Sequence, residues 1–529
     1  MSWSAAFQTQ LAGSTTAPIF LLHVLKWAGT PGRQFYACSS AGYGVPEIMG
    51  MEAVVSGSNL SPMDWRYTAG TCTIEITATS IAGLAYSARR GSIAVLKMGF
   101  PGYDLADFEP VFMGRVATIQ GSGPTWQLVL WDGTSILSSR LAVGAAAYRA
   151  NQDNIFFAVG GGTAYKTTIA ENPARPNPPD GASYQPGDTS LFLADASVCE
   201  KLDGAGTTGA VYVDNGTHDP FFLTYTGVSG NELTGVGTSN IFATVRRNSD
   251  TGSTVYNAAH LEGTPRVLFL RQLLSGSGTS TLYDKMPDSW GWALPRDLVD
   301  VADVMNMQSG LDAGIASGTW TLEYVQTAQV TDSFGWLSDF WRTLGLIPIQ
   351  RQGLLTLRPI QDPNDPTMTS GAHITDDHIE EVEQWVAYHP DMPAEFQQTE
   401  IFAGAHTGAA ISEKTSFRTP ETLPVADTVS YLANDKIYQN QTQLLREIKG
   451  RVGVWGPNLA EMVTIRCAGL RFAGLAPTEI VHLTTSGIYG GRINSTLEGY
   501  DRQPCMVLQC SPDFTRGSVV LTLAAIDPL

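Results

Sequence analysis

Residues 111–132 read Val111-Phe112-Met113-Gly114-Arg115-Val116-Ala117-Thr118-Ile119-Gln120-Gly121-Ser122-Gly123-Pro124-Thr125-Trp126-Gln127-Leu128-Val129-Leu130-Trp131-Asp132. Two runs rich in β-branched and aromatic residues flank Gly121-Ser122-Gly123-Pro124. Such side chains suit a pleated strand, and Gly and Pro punctuate it. The stretch therefore reads as a β-hairpin with a Gly/Pro-rich loop, ending on an aspartate. The same plan recurs near the C-terminus, where 505–527 runs CMVLQC, SPDFTRG, SVVLTLAAID: strand, turn, strand, Asp. Each copy comes after a Gly/Tyr loop, Gly99-Phe100-Pro101-Gly102-Tyr103-Asp104 in one case and Gly499-Tyr500-Asp501 in the other. The echo leads to the expectation of two similar β-domains in one chain.

Outward from the first hairpin, 20–25, 73–79 and 92–98 have strand composition, and 73–79 alternates at period two. The Pro-rich stretch 172–188 reads as an exposed loop or linker, and 210–213 and 221–225 as strands of a small β module. Short helices are expected at 265–274 and 298–307, with a Gly/Ser tip at 275–281 between them. Phe334, Leu337, Trp341 and Leu344 share one helical face, which predicts a helix over 332–344. A hairpin comes next, 346–349 and 354–359 around Arg351-Gln352-Gly353, then a second helix over roughly 427–449 with Ile437, Leu444 and Ile448 on one side. Strands near 462–466, 479–484, 505–510 and 518–526 close the chain. The fold class is mainly β with α+β insertions. Four domains are expected: 1–150, barrel-like; 151–262, a small β module; 263–385, α+β; and 386–529, a helix plus a second barrel-like domain.

Composition narrows the function. Of 529 residues, 43% are hydrophobic and 16% charged, a balance that excludes intrinsic disorder. Gly (54) and Pro (29) are plentiful but lack a Gly-X-Y period, which excludes collagen. Net charge is −18, so the surface repels phosphate backbones and tight nucleic-acid binding is not the expected role. The six cysteines form no CxxC pair, and reduced thiols in a cytoplasmically assembled protein are the expectation. The N-terminus has no basic region and no apolar run reaches about 18 residues, so neither a signal peptide nor a membrane span is expected.

No catalytic signature is present, and no catalytic, cofactor-binding or metal residue is assigned. Gly160-Gly161-Gly162-Thr163 lacks the Lys that a phosphate loop carries after its glycines and reads as a turn. Asp362 with Asp365, and Asp376 with Asp377, are carboxylate pairs of the kind glycosidases use, but read as solvated loops. His373, Asp376, Asp377 and His378 have metal-ligand chemistry, as do Asp214, His218 and Asp219; a polar loop is the favoured reading for both. Cys467, Cys505 and Cys510 are too few for a four-thiolate cluster, and the spacing of five would send Cys505 and Cys510 to opposite strand faces. They read as buried apolar thiols. Trp290, Trp292, Trp336 and Trp341 read as core or subunit-interface residues, with a sugar platform as the alternative.

The block 332–360 (helix, hairpin with a Gly turn, Leu-x-Leu-x-Pro) resembles the central part of phage tail hub proteins. So does the acidic loop Ile374-Thr375-Asp376-Asp377, with the long stretch to a helix around 430–449 and the terminal strands. The run 266–275, with Tyr283-Asp284-Lys285-Met286-Pro287-Asp288-Ser289-Trp290-Gly291-Trp292 and Leu298-Val299-Asp300, is similar to one in baseplate and tail-tip proteins of long-tailed, siphovirus-like bacteriophages. The resemblance covers about half the chain. One departure is Leu475-Ala476-Pro477-Thr478, where those proteins often carry a Gly-Asp pair. The resemblance implies two tail-tube-like β-barrel domains per chain and a homotrimeric ring closing the end of a tail tube. The implied partners are a distal tail protein or tail tube, the tape measure protein and the central fibre or receptor-binding proteins. Genomic DNA would pass the lumen unbound, in a virion tail assembled in the host cytoplasm. Some tail-tip proteins hold an iron–sulfur cluster through C-terminal cysteines; no cofactor is expected here. The alternatives are a receptor- or carbohydrate-binding tail protein and a polysaccharide-degrading tail enzyme.

Overall fold

The structure is a computed structural model. It describes residues 3–13, 17–25, 35–45, 47–61, 65–77, 90–138, 166–176, 182–199, 209–214, 216, 221–237, 248–273, 294, 296–313, 322–326, 338, 341, 345–361, 371–386, 395–403, 412–418, 428–430, 437–439, 460–488 and 499–526. The expectations for 160–163, 275–281, His218, Asp219, Trp290, Trp292, Trp336, Asp362 and Asp365 lie outside these residues. So does the 332–344 helix, save Ser338 and Trp341. Both of these are helical, and Trp341 is fully buried with its ring edge-on to Phe269, centroids 5.7 Å apart.

The chain is mainly β. Its first half supplies β1 (Ile19–Val24), β2 (Phe35–Cys38), β3 (Gly50–Ser56), β4 (Thr71–Thr77), β5 (Ile93–Gly99), β6 (Glu109–Ser122) and β7 (Thr125–Asp132). The C-terminal part supplies β8 (Ala372–Ile374), β9 (Ile379–Val386), β10 (Ala460–Ala468), β11 (Ile480–Thr485), β12 (Tyr500–Asp513) and β13 (Ser518–Ile526). All belong to one 15-stranded sheet whose order runs β2-β1-β5-β6-β7-β4-β3-β12-β13-β10-β9, with β11 on β12 and β8 on β11.

That order is a duplication. The sequence β1-β5-β6-β7-β4-β3 in space matches β8-β11-β12-β13-β10-β9, and the chain visits the matching strands in the same order. One pairing differs: β1 lies antiparallel to β5, whereas β8 lies parallel to β11. The match extends to register. On β6–β7 a bulge separates Val116↔Leu130 from Thr118↔Val129, and five pairs then lead to Ser122↔Thr125. On β12–β13 a bulge separates Val507↔Leu523 from Gln509↔Thr522, and five pairs lead to Asp513↔Ser518. Four pairs run from Ile93↔Arg115 to Leu96↔Phe112 before a shift, and four run from Ile480↔Met506 to Leu483↔Gln503 before a shift. Equivalent positions carry identical buried side chains: Ile74 and Ile465, Ile93 and Ile480, Leu96 and Leu483, Val116 and Val507, Leu128 and Leu521, Leu130 and Leu523. Alternation of buried and exposed residues along β3 and β4 sets which face meets the core.

Each repeat curls until its outer members meet, yet neither closes a ladder among the described residues. In the first, Cys38 forms a single bridge to Glu47, just before β3, where Ile48 N donates to Cys38 O at 2.8 Å. In the second, β8 and β9 are joined by the 3-10 turn Asp376–His378. One continuous apolar core, from Phe7 and Phe20 through Ile74 and Leu130 to Val463, Cys505 and Leu523, fills both repeats.

Two insertions build the rest. The segment between the repeats contributes Gly209–Asp214, Phe221–Tyr225, Thr254–Gly263 and Leu322–Gln326 to a nine-stranded sheet. The link from β9 to β10 contributes Glu395–Ala403, Ser412–Arg418, Thr428–Ser430 and Ile437–Gln439 to the same sheet. Helices Pro265–Leu273 and Val301–Ala313 and the hairpin Leu346–Arg351/Leu354–Pro359 stand where the spacing predicted them, within a few residues.

The structure corrects two readings here. The expected helix over 427–449 is replaced, where described, by strands: Thr428–Ser430 pairs in parallel with 395–397, and Ile437–Gln439 joins Leu322–Gln326. At Ile437 non-local strand pairing overrode the apparent helical period; Leu444 and Ile448 lie outside the described residues. The expected linker 172–188 contains a strand, Ala182–Tyr184, and Tyr184 is fully buried beside Phe221, so this part anchors the small β core rather than spacing it.

Candidate assembly interface

The repeats meet along a seam between β3 and the far end of β12. Val54 faces Asp513, Phe514 N donates to Ala53 O (3.1 Å), and Ala53 N donates to Thr515 Oγ1 (2.9 Å). Just beyond β3, Gly57 N donates to Ser511 Oγ (2.8 Å) and Gly57 O accepts from Gln509 Nε2 (2.9 Å). Gly57 is required here, because a Cβ would sit 1.9 Å from Cys510 O.

Two other edges carry no strand among the described residues. The β5 ladder ends at Ile93↔Arg115, so 118–122 of β6 is backed by β7 alone. At the other end of the sheet, β9 is backed by β10 alone. The β9 edge is held in place from behind: Trp385 Nε1 donates to Tyr500 Oη (3.3 Å), which donates to the buried Glu461 Oε2 (2.6 Å). Burial, and then the bond to Glu461, push the Tyr500 phenol well above its usual range. Arg466 pairs with Glu383 on the strand's outer face. At the corner before β9, Asp376 accepts from Ser486 N (3.1 Å) and Oγ (2.8 Å), and hydrogen bonds led by Thr485 hold its carboxyl below the usual range against its partial desolvation.

The first repeat is bolted to the insertion through the aspartate that ends its hairpin. Asp132 is fully buried and accepts from Ser58 Oγ (2.5 Å), Tyr67 Oη (2.9 Å), Gly70 N (2.9 Å), Thr134 N (2.9 Å) and Thr134 Oγ1 (2.5 Å). Burial, and then Asp132 itself, push the Tyr67 phenol up. Gln350, on the 346–351 strand, donates its N–H to Tyr67 Oη (3.3 Å) and accepts from Gly133 N. By register the second repeat places Ala525 where the first has Asp132, and Asp527 lies outside the described residues.

A second junction joins the insertion to the second repeat. Arg351 pairs with Glu479 (2.8 Å), and Arg358 with Asp303 (2.9 Å) and Glu479 (3.4 Å). Against the desolvation that burial imposes, Glu479 and Asp303 keep Arg351 more firmly protonated than usual. Trp3 Nε1 donates to Pro110 O (2.8 Å), and Trp3 N donates to Gln352 Oε1 (3.0 Å). A cavity of about 730 Å³ lies here, lined by Trp3, Arg351, Arg358, His373, Arg471 and Glu479 among others. Its buried charges are already paired with one another.

The metal-ligand candidates do not converge. His373 Nε2 bonds Thr484 Oγ1 (2.9 Å), while His378 meets Arg471 (3.1 Å) and Thr375 Oγ1 (3.1 Å). Burial, and then Arg471, hold His378 below its usual value, and its Nδ1 accepts from Thr375 N (3.1 Å). Among the described residues no three His, Cys, Asp or Glu side chains are placed to share a metal ion. Cys505 and Cys510 do not point to opposite faces: the bulge between Val507 and Gln509 inserts one residue, and both thiols join Cys467 in the core. Burial raises all three, Cys467 to about 12. The two edges were not legible in the sequence, since an edge is defined by the non-local pairings around it; β6 and β12 are both 14 residues long.

No helix among the described residues is long and apolar enough to cross a membrane. No family model matches the sequence, and no curated protein does either. The solved structures that resemble it include the 43 kDa tail protein of prophage MuSo2 from Shewanella oneidensis, 9% identical with a TM-score of 0.32, covering 96% of this chain and 98% of that one. Prophage tail protein gp18 from Listeria monocytogenes EGD-e is 8% identical with a TM-score of 0.31, covering 97% and 96%. A chain from the virion of the native gene transfer agent particle is 13% identical with a TM-score of 0.20, covering 48% of this chain and 84% of that one. These TM-scores are low, and the function of this chain is inferred from its own geometry.

Proposed function

We propose that this chain is a structural protein of a phage tail, the hub subunit of the tail tip or baseplate. Copies of it close into a ring that joins the tail tube to the central fibre and gates release of the tape measure and DNA. The observation that carries the reading is the register-matched duplication, in which the seam between repeats is filled inside the chain while its counterpart edges carry no strand among the described residues. Heterologous contacts repeated about one axis close into a ring. Three chains with two repeats each give six equivalent units, the number that a sixfold tube presents.

The ring acts by shape and performs no bond-making. It is a homotrimer that meets the tail tube or distal tail protein on one face and the central fibre on the other. With a net charge of −18 its surface repels DNA passing the lumen. The interface is obligate and buries more than about 2,000 Å². Native mass measurement and negative-stain imaging of the purified chain test this. The expected result is a three-chain particle with a central hole. A monodisperse monomer at micromolar concentration, or a turnover of host-surface polysaccharide, would overturn it.

A further inference from the structure

We infer that β9 of one copy adds, antiparallel, to the 118–122 edge of β6 in the next copy, an edge that carries no strand among the described residues, with Gln384 opposite Ser122. This rests on the ring reading and specifies its contact. Equivalent places are fixed by the pairings. Val54 pairs with Thr73, and Gln384 with Thr464; Thr73 in turn pairs with Val129, and Thr464 with Thr522. Gln384 is therefore the second repeat's Val54. Ser122 and Asp513 each lie five pairs beyond the matching bulge, next to the hairpin turn, so Ser122 is the first repeat's Asp513. Since Val54 faces Asp513 within the chain, Gln384 faces Ser122 between chains.

The occupant of each edge is decided by charge. β9 carries Glu380, Glu381 and Glu383, and 118–122 carries no charged residue. Two β9 edges brought together would oppose acidic rows, which disfavours a twofold β9–β9 contact. A neutral edge that offers Thr118, Gln120 and Ser122 accepts it. The filled seam uses the same chemistry, since Gln509 and Ser511, the counterparts of Thr118 and Gln120, bond the Gly57 backbone.

The bond from Phe514 N to Ala53 O makes Val54/Asp513 a non-hydrogen-bonded pair, the kind whose side chains lie closest and whose Cβ spacing suits a disulfide. The test is cross-linking of the full chain. Ser122→Cys/Gln384→Cys, mildly oxidised, should give covalently closed three-chain species on a non-reducing gel, while each single variant stays unlinked. Val54→Cys/Asp513→Cys should link within one chain with no change in mass. A second measurement uses the unaltered chain: amides of 118–122 and 382–386 should gain hydrogen-exchange protection as dilute monomer assembles. A ring of three-chain mass that fails to link and leaves those amides unprotected overturns the edge assignment and leaves the ring reading standing. So does linking by the single variants, which would report a twofold contact. A chain that links at Val54/Asp513 yet stays monomeric overturns the ring reading and this contact with it.

Discussion

Raising the pH from 8 to 10 should unfold this protein steeply. Cys72, Cys467, Cys505 and Cys510 are all buried in the core, and burial lifts each thiol above its ordinary value near 9, Cys467 to about 12. The folded chain therefore holds these protons more tightly than the unfolded chain does. Their contribution to stability is complete below the unfolded value and is lost as pH climbs from there toward the folded values. One such group costs between about 1 and 1.4 kcal/mol per pH unit inside that window. Four together remove roughly 5 kcal/mol between pH 9 and 10, a loss comparable with the whole stability of many domains, about 5–15 kcal/mol. Tyr67 and Tyr500, also raised, steepen the loss above their ordinary value of 10. Urea midpoints at pH 7, 8, 9 and 10, monitored by circular dichroism and by thiol-reagent uptake, measure it. Cys505→Ala should lower the slope by about a quarter. A midpoint flat from pH 8 to 10, or thiols that are ionised at pH 7 as cluster ligands would be, refutes the reasoning.

Three further outcomes rest on named contacts. Asp132→Ala strands the buried Tyr67 hydroxyl and the Gly70 and Thr134 amides, which at about 1–3 kcal/mol each should cost at least about 3 kcal/mol in denaturant unfolding; a loss under about 1 kcal/mol would mean that the cluster re-partners. Gly57→Val drives a side chain into Cys510 O and should open the seam, seen as faster hydrogen exchange at 53–57 and 509–513 and as loss of the assembled ring. His23 is stacked on Tyr36 at 4.0 Å and is lowered to about 4 by burial, then by Lys97, so the stability it supplies is present above its unfolded value of 6.5 and is lost as pH falls through 4; His23→Leu should flatten the melting temperature between pH 6.5 and 4, and an unchanged acid limb would show that the ring is not the titrating group.

The legible part of the sequence was local. The hairpin at 111–132 declared itself because alternation and a Gly/Pro turn lie within one window, and its echo at 505–527 declared itself for the same reason. Identity of register could not be read, because bulges at Ala117 and Leu508 break the period and nothing in their side chains announces it. The same bulge misdirected Cys505 and Cys510. The seam is set by pairings between residues more than 400 positions apart, such as Ala53 with Thr515, and a free edge is defined by what does not pair with it. The strands at 428–430 and 437–439 were misread as a helix because their partners, 395–397 and Leu322–Gln326, lie well outside any local window.

The two repeats differ most where β3 passes to β4 and where β9 passes to β10. In the first repeat that link is 57–70, a short crossing fixed by Ser58, Tyr67 and Gly70 on Asp132. In the second it is 387–459, and it carries four strands of the nine-stranded sheet. The remaining strands of that sheet come from the segment between the repeats, so one such layer is built per chain, not per repeat. On the proposed reading this is how six becomes three. The β-repeats present near-equivalent units around a tube, while the inserted sheet, made once for every two of them, imposes threefold symmetry on whatever docks beyond. The repeats also differ in their first strand, which lies antiparallel to its neighbour in β1 and parallel in β8. The chain leaves the insertion through β8 and enters the second repeat in the direction opposite to β1, so the two repeats are not interchangeable at that edge.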